Sequence, residues 1–146
     1  MKQVYDPVRC KWIMASPEEI VRQTWIHHMI YDLQFPKGSL IVERELLSLP
    51  YLQIDFPHAP SRRVDILSLN TSHSAEAGRL FQPLLLIECK CRSLNHLAFD
   101  QLLSYNTFIQ APFVALVNQK QIRLFCCSTS CETHVLPSFF QLIEQK

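Results

Sequence analysis

The sequence predicts an α/β fold, a mixed central sheet flanked by helices in an α/β sandwich. Three observations predict it. The apolar run Leu84-Leu85-Leu86-Ile87, continuing into Glu88-Cys89-Lys90, has the composition of a buried central strand. Strand candidates that suit hairpins precede it, and a helical crossover follows it before the next strand. The chain has 146 residues, 48% hydrophobic and 18% charged, which is enough for a real core in a single domain over residues 1–146.

Residues 1–15 look irregular, with Pro7 and Trp12 as anchors. Ser16-Pro17-Glu18-Glu19 then starts a helix: serine at the N-cap, proline at the first helical position and Glu19 three residues on make a capping box. The helix should run from Pro17 to about Leu33. Val21, Trp25, Ile26, Met29, Ile30 and Leu33 form its buried stripe, and Pro36-Lys37-Gly38 ends it. Leu40–Leu47 is a strand candidate with charges in its middle, suited to an edge, and Tyr51–Phe56 could pair with it. Arg62–Leu69 is a strand with a lone acid, Asp65. Asn70–Gln82 is a polar loop. After the Glu88 strand, Asn95–Ile109 reads as a second helix with Phe99, Leu102, Leu103 and Ile109 inward, stopped by Ala111-Pro112. Phe113–Val117 and Ile122–Cys127 are short strands around a turn at Asn118–Gln121. Pro137–Gln145 forms a short docking helix.

Composition narrows the function classes. Gly38 and Gly78 are the only glycines, so neither a P-loop nor a GxGxxG fingerprint can be written. No stretch of 18 apolar residues would span a membrane, and the N-terminal residues lack the apolar core of a signal peptide, so the chain reads as cytoplasmic. The net charge of +1 neither argues for nor against nucleic acid, since binding needs only a local patch. Basic residues cluster at Lys2, Arg9 and Lys11, and again at Arg62, Arg63, Lys90 and Arg92. The six cysteines suit thiols in a cytoplasmic chain, with Cys89 and Cys91 projecting as small buried hydrophobes opposite Glu88 and Lys90. Cys10 with Cys126, Cys127 and Cys131 would supply four thiolates for zinc or an iron–sulfur cluster, but the spacing matches no standard pattern and the cluster is the lesser reading.

Chemistry concentrates at Asp65, Glu88 and Lys90. Residues two apart in a strand share a face, so Glu88 and Lys90 point together from a strand otherwise fit for burial. Buried charges need partners, and Asp65 on the neighbouring strand is an obvious one. A D…ExK set of this kind suits a divalent-metal site for phosphodiester hydrolysis. Asp65 and Glu88 would be hard oxygen ligands for Mg²⁺ (or Mn²⁺), and the backbone carbonyl of Cys89 a further ligand. Lys90 would orient or deprotonate the attacking water, or offset charge in the transition state. The bland alternative makes Asp65 and Glu88 surface acids with Lys90 their solvated neighbour.

The ordered motifs Tyr5-Asp6-Pro7-Val8-Arg9, Ser16–Gln23, Arg63-Val64-Asp65, Leu84–Lys90, Phe99-Asp100-Gln101-x3-Tyr105-Asn106 and Ala111-Pro112-Phe113 cover most of the chain. Together they resemble small proteins related to the N-terminal nuclease domain of type I restriction enzyme R (motor) subunits, in the PD-(D/E)xK, RecB-like, restriction-endonuclease-like superfamily. The resemblance implies that Asp65 and Glu88 are metal ligands and Lys90 the catalytic lysine. It implies that Gln101 and Tyr105, matching a QxxxY motif, hold the DNA backbone or support the site, with Arg62 and Arg63 beside them. It also implies an additional acid, for which Glu19 is the candidate and Glu43 the alternative. Thr71–Phe81 looks like an insertion between Asp65 and Glu88. The expected function is a Mg²⁺-dependent nuclease acting on DNA, as a homodimer or beside a partner motor or restriction subunit. The alternative is a catalytically inactive nucleic-acid-binding or complex-assembly module with the same fold.

Overall fold

In the computed structural model, which describes residues 2–49, 62–71 and 82–145, the first fifteen residues are not irregular. Strand β1 (Gln3–Asp6) pairs antiparallel with β2 (Lys11–Met14) in a two-stranded hairpin. Its turn is set by Asp6, whose Oδ1 accepts hydrogen bonds from the backbone N–H groups of Val8 (2.7 Å) and Arg9 (2.9 Å). Cys10 closes the turn in the left-handed region at φ 55°.

Helix α1 (Pro17–Tyr31) begins at Ser16, whose side chain accepts from the Glu19 N–H. It ends two residues short of the expected Leu33. Only half of the capping box forms: the Glu19 carboxylate turns into the protein and binds side chains there. Val21, Ile26 and Met29 are buried, as the stripe requires, while Trp25, Ile30 and Leu33 pack against its margin.

Six strands form the main sheet, in the order β3-β4-β5-β6-β7-β8. Strand β3 (Leu40–Glu45) lies at one edge and ends at Glu45, where a 3-10 turn (Leu46–Ser48) takes over; β4 (Arg63–Leu69) and β5 (Pro83–Cys89) follow it antiparallel. Helix α2 (His96–Ile109), capped by the Asn95 side chain, carries the chain over to β6 (Phe113–Val117), which pairs parallel with β5. Strand β7 (Ile122–Cys126) returns antiparallel. The sequence had shown no strand beyond it, but β8 (Cys131–Thr133) closes the far edge, too short and too exposed to carry a hydrophobic pattern. The chain then docks α3 (Phe139–Gln145) through Phe139 and Leu142. The expected pairing of Tyr51–Phe56 and nearly all of the Thr71–Phe81 insertion lie outside the described residues.

The mixed sheet has a core on each face, which is why its central strands are apolar throughout. One joins α1 and α3 to Leu85 and Ile87 of β5 and to Phe113, Ala115 and Val117 of β6. The other joins Phe99, Leu102, Tyr105 and Ile109 of α2 to Leu86, Val114 and Leu116. Strand β5 stops at Cys89, so Cys91 lies beyond it and is exposed rather than buried; Cys89 is buried as expected. No described helix is long and apolar enough to cross a membrane.

Candidate active site

The register of three adjacent strands sets an acidic row across one end of the sheet. The pairs Val42–Ile66 and Arg44–Val64 put Glu43 opposite Asp65. One step beyond the pair Ile66–Ile87, Asp65 stands opposite Glu88. Like charges directly opposite each other destabilise a sheet unless cations intervene. Glu43 breaks the ladder here, with its backbone in the left-handed region at φ 54°, an uncommon conformation for a glutamate in a strand.

Two arginines reach the Asp65–Glu88 pair. Arg22 of α1 is buried and donates to three carboxylates at once: Nη1 to Glu19 (2.7 Å), and Nη2 to Glu43 and to Asp65. Burial works against its charge, but Asp65, Glu19 and Glu43 outweigh this and raise its pKa. The other Asp65 oxygen accepts the Cys89 backbone N–H at 2.9 Å. Arg62 lies on the opposite side, 3.1 Å from Glu88 and with its guanidinium 4.8 Å above the Tyr105 ring.

The Glu88 carboxyl group is strongly perturbed. Burial, then the charge of Asp65 and a hydrogen bond shared with it, push Glu88 up to about 8, against the pull of Arg62 and Lys90. The pair is thus short of positive charge. Its donors are hard oxygens in mutual contact, which fits a divalent cation such as Mg²⁺. Among the described residues no three His, Cys, Asp or Glu side chains form a group that could hold a metal ion, so a cation would rely on this pair, backbone oxygen and water. Nor do Cys10, Cys126, Cys127 and Cys131 gather into a group that could hold a metal. Cys126 and Cys131 face each other in the β7–β8 pair.

The other residues singled out from the sequence divide into near and far. Lys90 follows directly after β5, anchored by its N–H to the Val117 carbonyl at 2.8 Å. It lines an open groove of ≈ 400 Å³ with Arg92, Ser93, Asn95 and Gln101. Gln101 also borders a second groove of ≈ 490 Å³, lined by Arg62, Ser104, Tyr105 and Phe108. It is therefore a ridge between two grooves, one turn of α2 before the buried Tyr105. Arg63 is exposed and reaches the outer acids of the sheet edge, Glu43 (3.7 Å) and Glu45 (3.9 Å). Glu19 is buried and held by Arg9, Arg22 and Gln23. Burial would raise its pKa, but these partners hold it below the usual carboxylate value.

A family model for the N terminus of the type I restriction enzyme R protein matches residues 17–138. The chain belongs to that family. Neither curated proteins nor solved structures gave a significant match. The R-protein family match spans every element from α1 to β8, and with them Asp65, Glu88, Lys90 and the two grooves. The β1–β2 hairpin lies before it.

Sequence reasoning missed Arg22, the hub of the site's charge network, and Arg9 and Asp6, which tie the hairpin to it. A signal existed for Arg22: it lies four residues before Ile26, seven before Met29 and three after Glu19, so the helix face that buries Ile26 and Met29 carries both charges inward.

Proposed function

We propose that the chain is a metal-dependent nuclease of the PD-(D/E)xK, restriction-endonuclease-like kind, hydrolysing phosphodiester bonds of DNA. The observation that carries this reading is the Asp65–Glu88 contact across β4 and β5, with Lys90 one residue beyond the strand, in a chain of a restriction-enzyme family.

Bound Mg²⁺ would supply a Lewis acid for the phosphoryl oxygens and lower the pKa of the attacking water. Asp65, Glu88 and the Cys89 carbonyl would hold it. Asp65 is fixed from two sides by Arg22 and the Cys89 N–H, so it needs little reorganisation to act as a ligand. Lys90 holds or moves the proton of the water, and its ammonium offsets the charge that grows on phosphate. Gln101 and Tyr105, with Arg62, line the path of the backbone past the site. The expected partners are DNA and the other subunits of a restriction system, with a second copy of the chain where both strands are cut.

A second reading has its own observation. Arg22 and Arg62 already pair with Asp65 and Glu88, as a binding or assembly module without activity could retain. One assay separates the two: cleavage of supercoiled and single-stranded DNA with Mg²⁺ or Mn²⁺, by wild type, Asp65→Ala and Lys90→Ala. Metal-dependent nicking lost in both variants supports the nuclease. Folded wild-type protein that binds DNA and never cuts it, with or without its partner subunits, supports the module.

A further inference from the structure

The two arginines of the site are not equivalent. Arg62 is two-fifths exposed and reaches Glu88 from the rim, where it can turn into the groove beside Tyr105. Arg22 is 6% exposed, comes from the interior face of α1, and bridges Glu19, Glu43 and Asp65 with one guanidinium. If it withdrew, Glu19 and Asp65 would each lose a charged partner while still buried, which is far costlier than losing one at the surface.

We propose that Arg22 is a built-in cation that restricts the site to one divalent ion, held by Asp65 and Glu88, and keeps Glu19 and Glu43 out of the ligand set. The inference rests on the metal-dependent reading above. A guanidinium keeps its proton at any working pH, so this positive charge is permanent. Mg²⁺ demands near-ideal octahedral oxygen geometry at about 2.0–2.1 Å. A second ion between Glu43 and Asp65 would have to share oxygens that already accept hydrogen bonds from Arg22, with like charges side by side against the buried Asp65. On the Glu88 side two carboxylates stand opposite each other, with Arg62 reaching in only from the exposed rim, so a cation is attracted there. Arg22 thereby acts as a positioning residue, turning one Asp65 oxygen inward and fixing how the carboxylate meets the ion.

The test counts bound Mn²⁺, by calorimetry and by the electron paramagnetic resonance of free Mn²⁺, on wild type, Glu88→Gln, Glu43→Gln and Arg22→Gln. One ion on wild type, lost in Glu88→Gln and retained within about twofold affinity in Glu43→Gln, is the expected result. Glu43→Gln leaves Arg22 in place, so this arm does not depend on the folding of Arg22→Gln. In Arg22→Gln a second ion should bind, and Mn²⁺ should raise its melting temperature more than that of wild type. Two ions on wild type, one of them lost in Glu43→Gln, would overturn the role of Arg22 while leaving the metal-dependent reading intact. No binding to folded wild type would overturn both.

Discussion

The guanidinium of Arg62 covers the ring of Tyr105 at 4.8 Å and at the same time reaches Glu88 at 3.1 Å. Through this one side chain the QxxxY helix and the acidic strand are coupled. Removing it should affect both. Arg62→Ala should cost about 1 kcal/mol, since a cation–π contact and a partly exposed ion pair are each worth no more than that. Cleavage should fall at least about tenfold, because a carboxylate that loses its holder loses alignment. Arg62→Lys should restore the charge without the flat stack, and recover stability only in part. Urea unfolding and nicking rates on the three proteins check this; an Arg62→Lys protein equal to wild type in both would show that the ring contact is incidental.

Glu88 stands opposite Asp65 and is pushed up to about 8 by burial and by that neighbour. An acid whose folded pKa lies above its unfolded value, here 4.5, costs the fold stability as soon as the unfolded chain ionises, because the folded group must stay protonated or ionise unfavourably. In metal-free protein its favourable contribution is therefore complete below pH 4.5 and is lost as the pH rises through about 8. Glu88→Gln keeps the shape and removes the charge. In EDTA at pH 8 it should melt about 3 °C or more above wild type, equivalent to about 1 kcal/mol. It should also lose the stabilisation that Mg²⁺ gives wild type. Scanning calorimetry from pH 5 to 9 with and without Mg²⁺ decides the matter, and a variant less stable than wild type at pH 8 in EDTA would refute it.

Asn106 offers a contrast, because it touches none of the acids. Its side chain donates to the Ala111 carbonyl at 2.9 Å and accepts the Ala111 N–H at 3.0 Å, while Gln110 between them takes the left-handed conformation that ends α2. Asn106→Ala leaves both Ala111 groups without this partner in a buried place and should cost about 1–3 kcal/mol. Mn²⁺ affinity of the folded protein should not change. A large loss of metal binding in this variant would mean that the end of α2 is strained into place for the site.

What was legible in the sequence was local. Strand β5 announced itself because four consecutive apolar residues need cover on both faces, α1 because Ser16 caps it, and α2 because Phe99, Leu102 and Ile109 recur at helical spacing. Asp65 and Glu88 were legible as lone acids in apolar strands, and the register brings them face to face. The β1–β2 hairpin was not legible, since Gln3-Val4-Tyr5-Asp6 has no clear alternation and its support comes from afar: Gln23 donates to Asp6 and Arg9 to Glu19. Nor was the role of Glu19. Three residues after Ser16 it satisfies a capping rule, and only the tertiary position of Arg9 and Arg22 draws its carboxylate away from the cap. Arg22 lies on the same helix face as Ile26 and Met29, four and seven residues before them, but a single charge in an apolar stripe has no visible partner until the acids of β3 and β4 are in place beside it.

The hairpin carries the last prediction. Asp6 is fully buried and accepts from Val8, Arg9 and Gln23. Burial would raise its pKa, but the bonds from Arg9, Gln23 and Val8 prevail and hold it below the ordinary 3.8; Glu19 is likewise held below 4.5. Depressed carboxyl groups stabilise the fold above their unfolded pKa values and lose that contribution as the pH falls through the folded ones. The hairpin hangs on both groups, so acid should release it first, at a pH below about 4 and before the sheet unfolds. Trp12, exposed on β2 and packed edge-on against Tyr5, reports on the hairpin; Trp25, bonded to the Asn118 carbonyl at 2.8 Å, reports on the body. In a Trp25→Phe protein the Trp12 emission should shift at a higher pH than the far-ultraviolet circular dichroism. Asp6→Asn should bring that shift toward neutral pH and cost about 1–3 kcal/mol, the range for leaving buried donors poorly matched. Coincident acid transitions for Trp12 and the circular dichroism, in wild type-like protein and in Asp6→Asn alike, would mean that the hairpin unfolds with the sheet and that Asp6 and Glu19 stabilise the molecule as one unit.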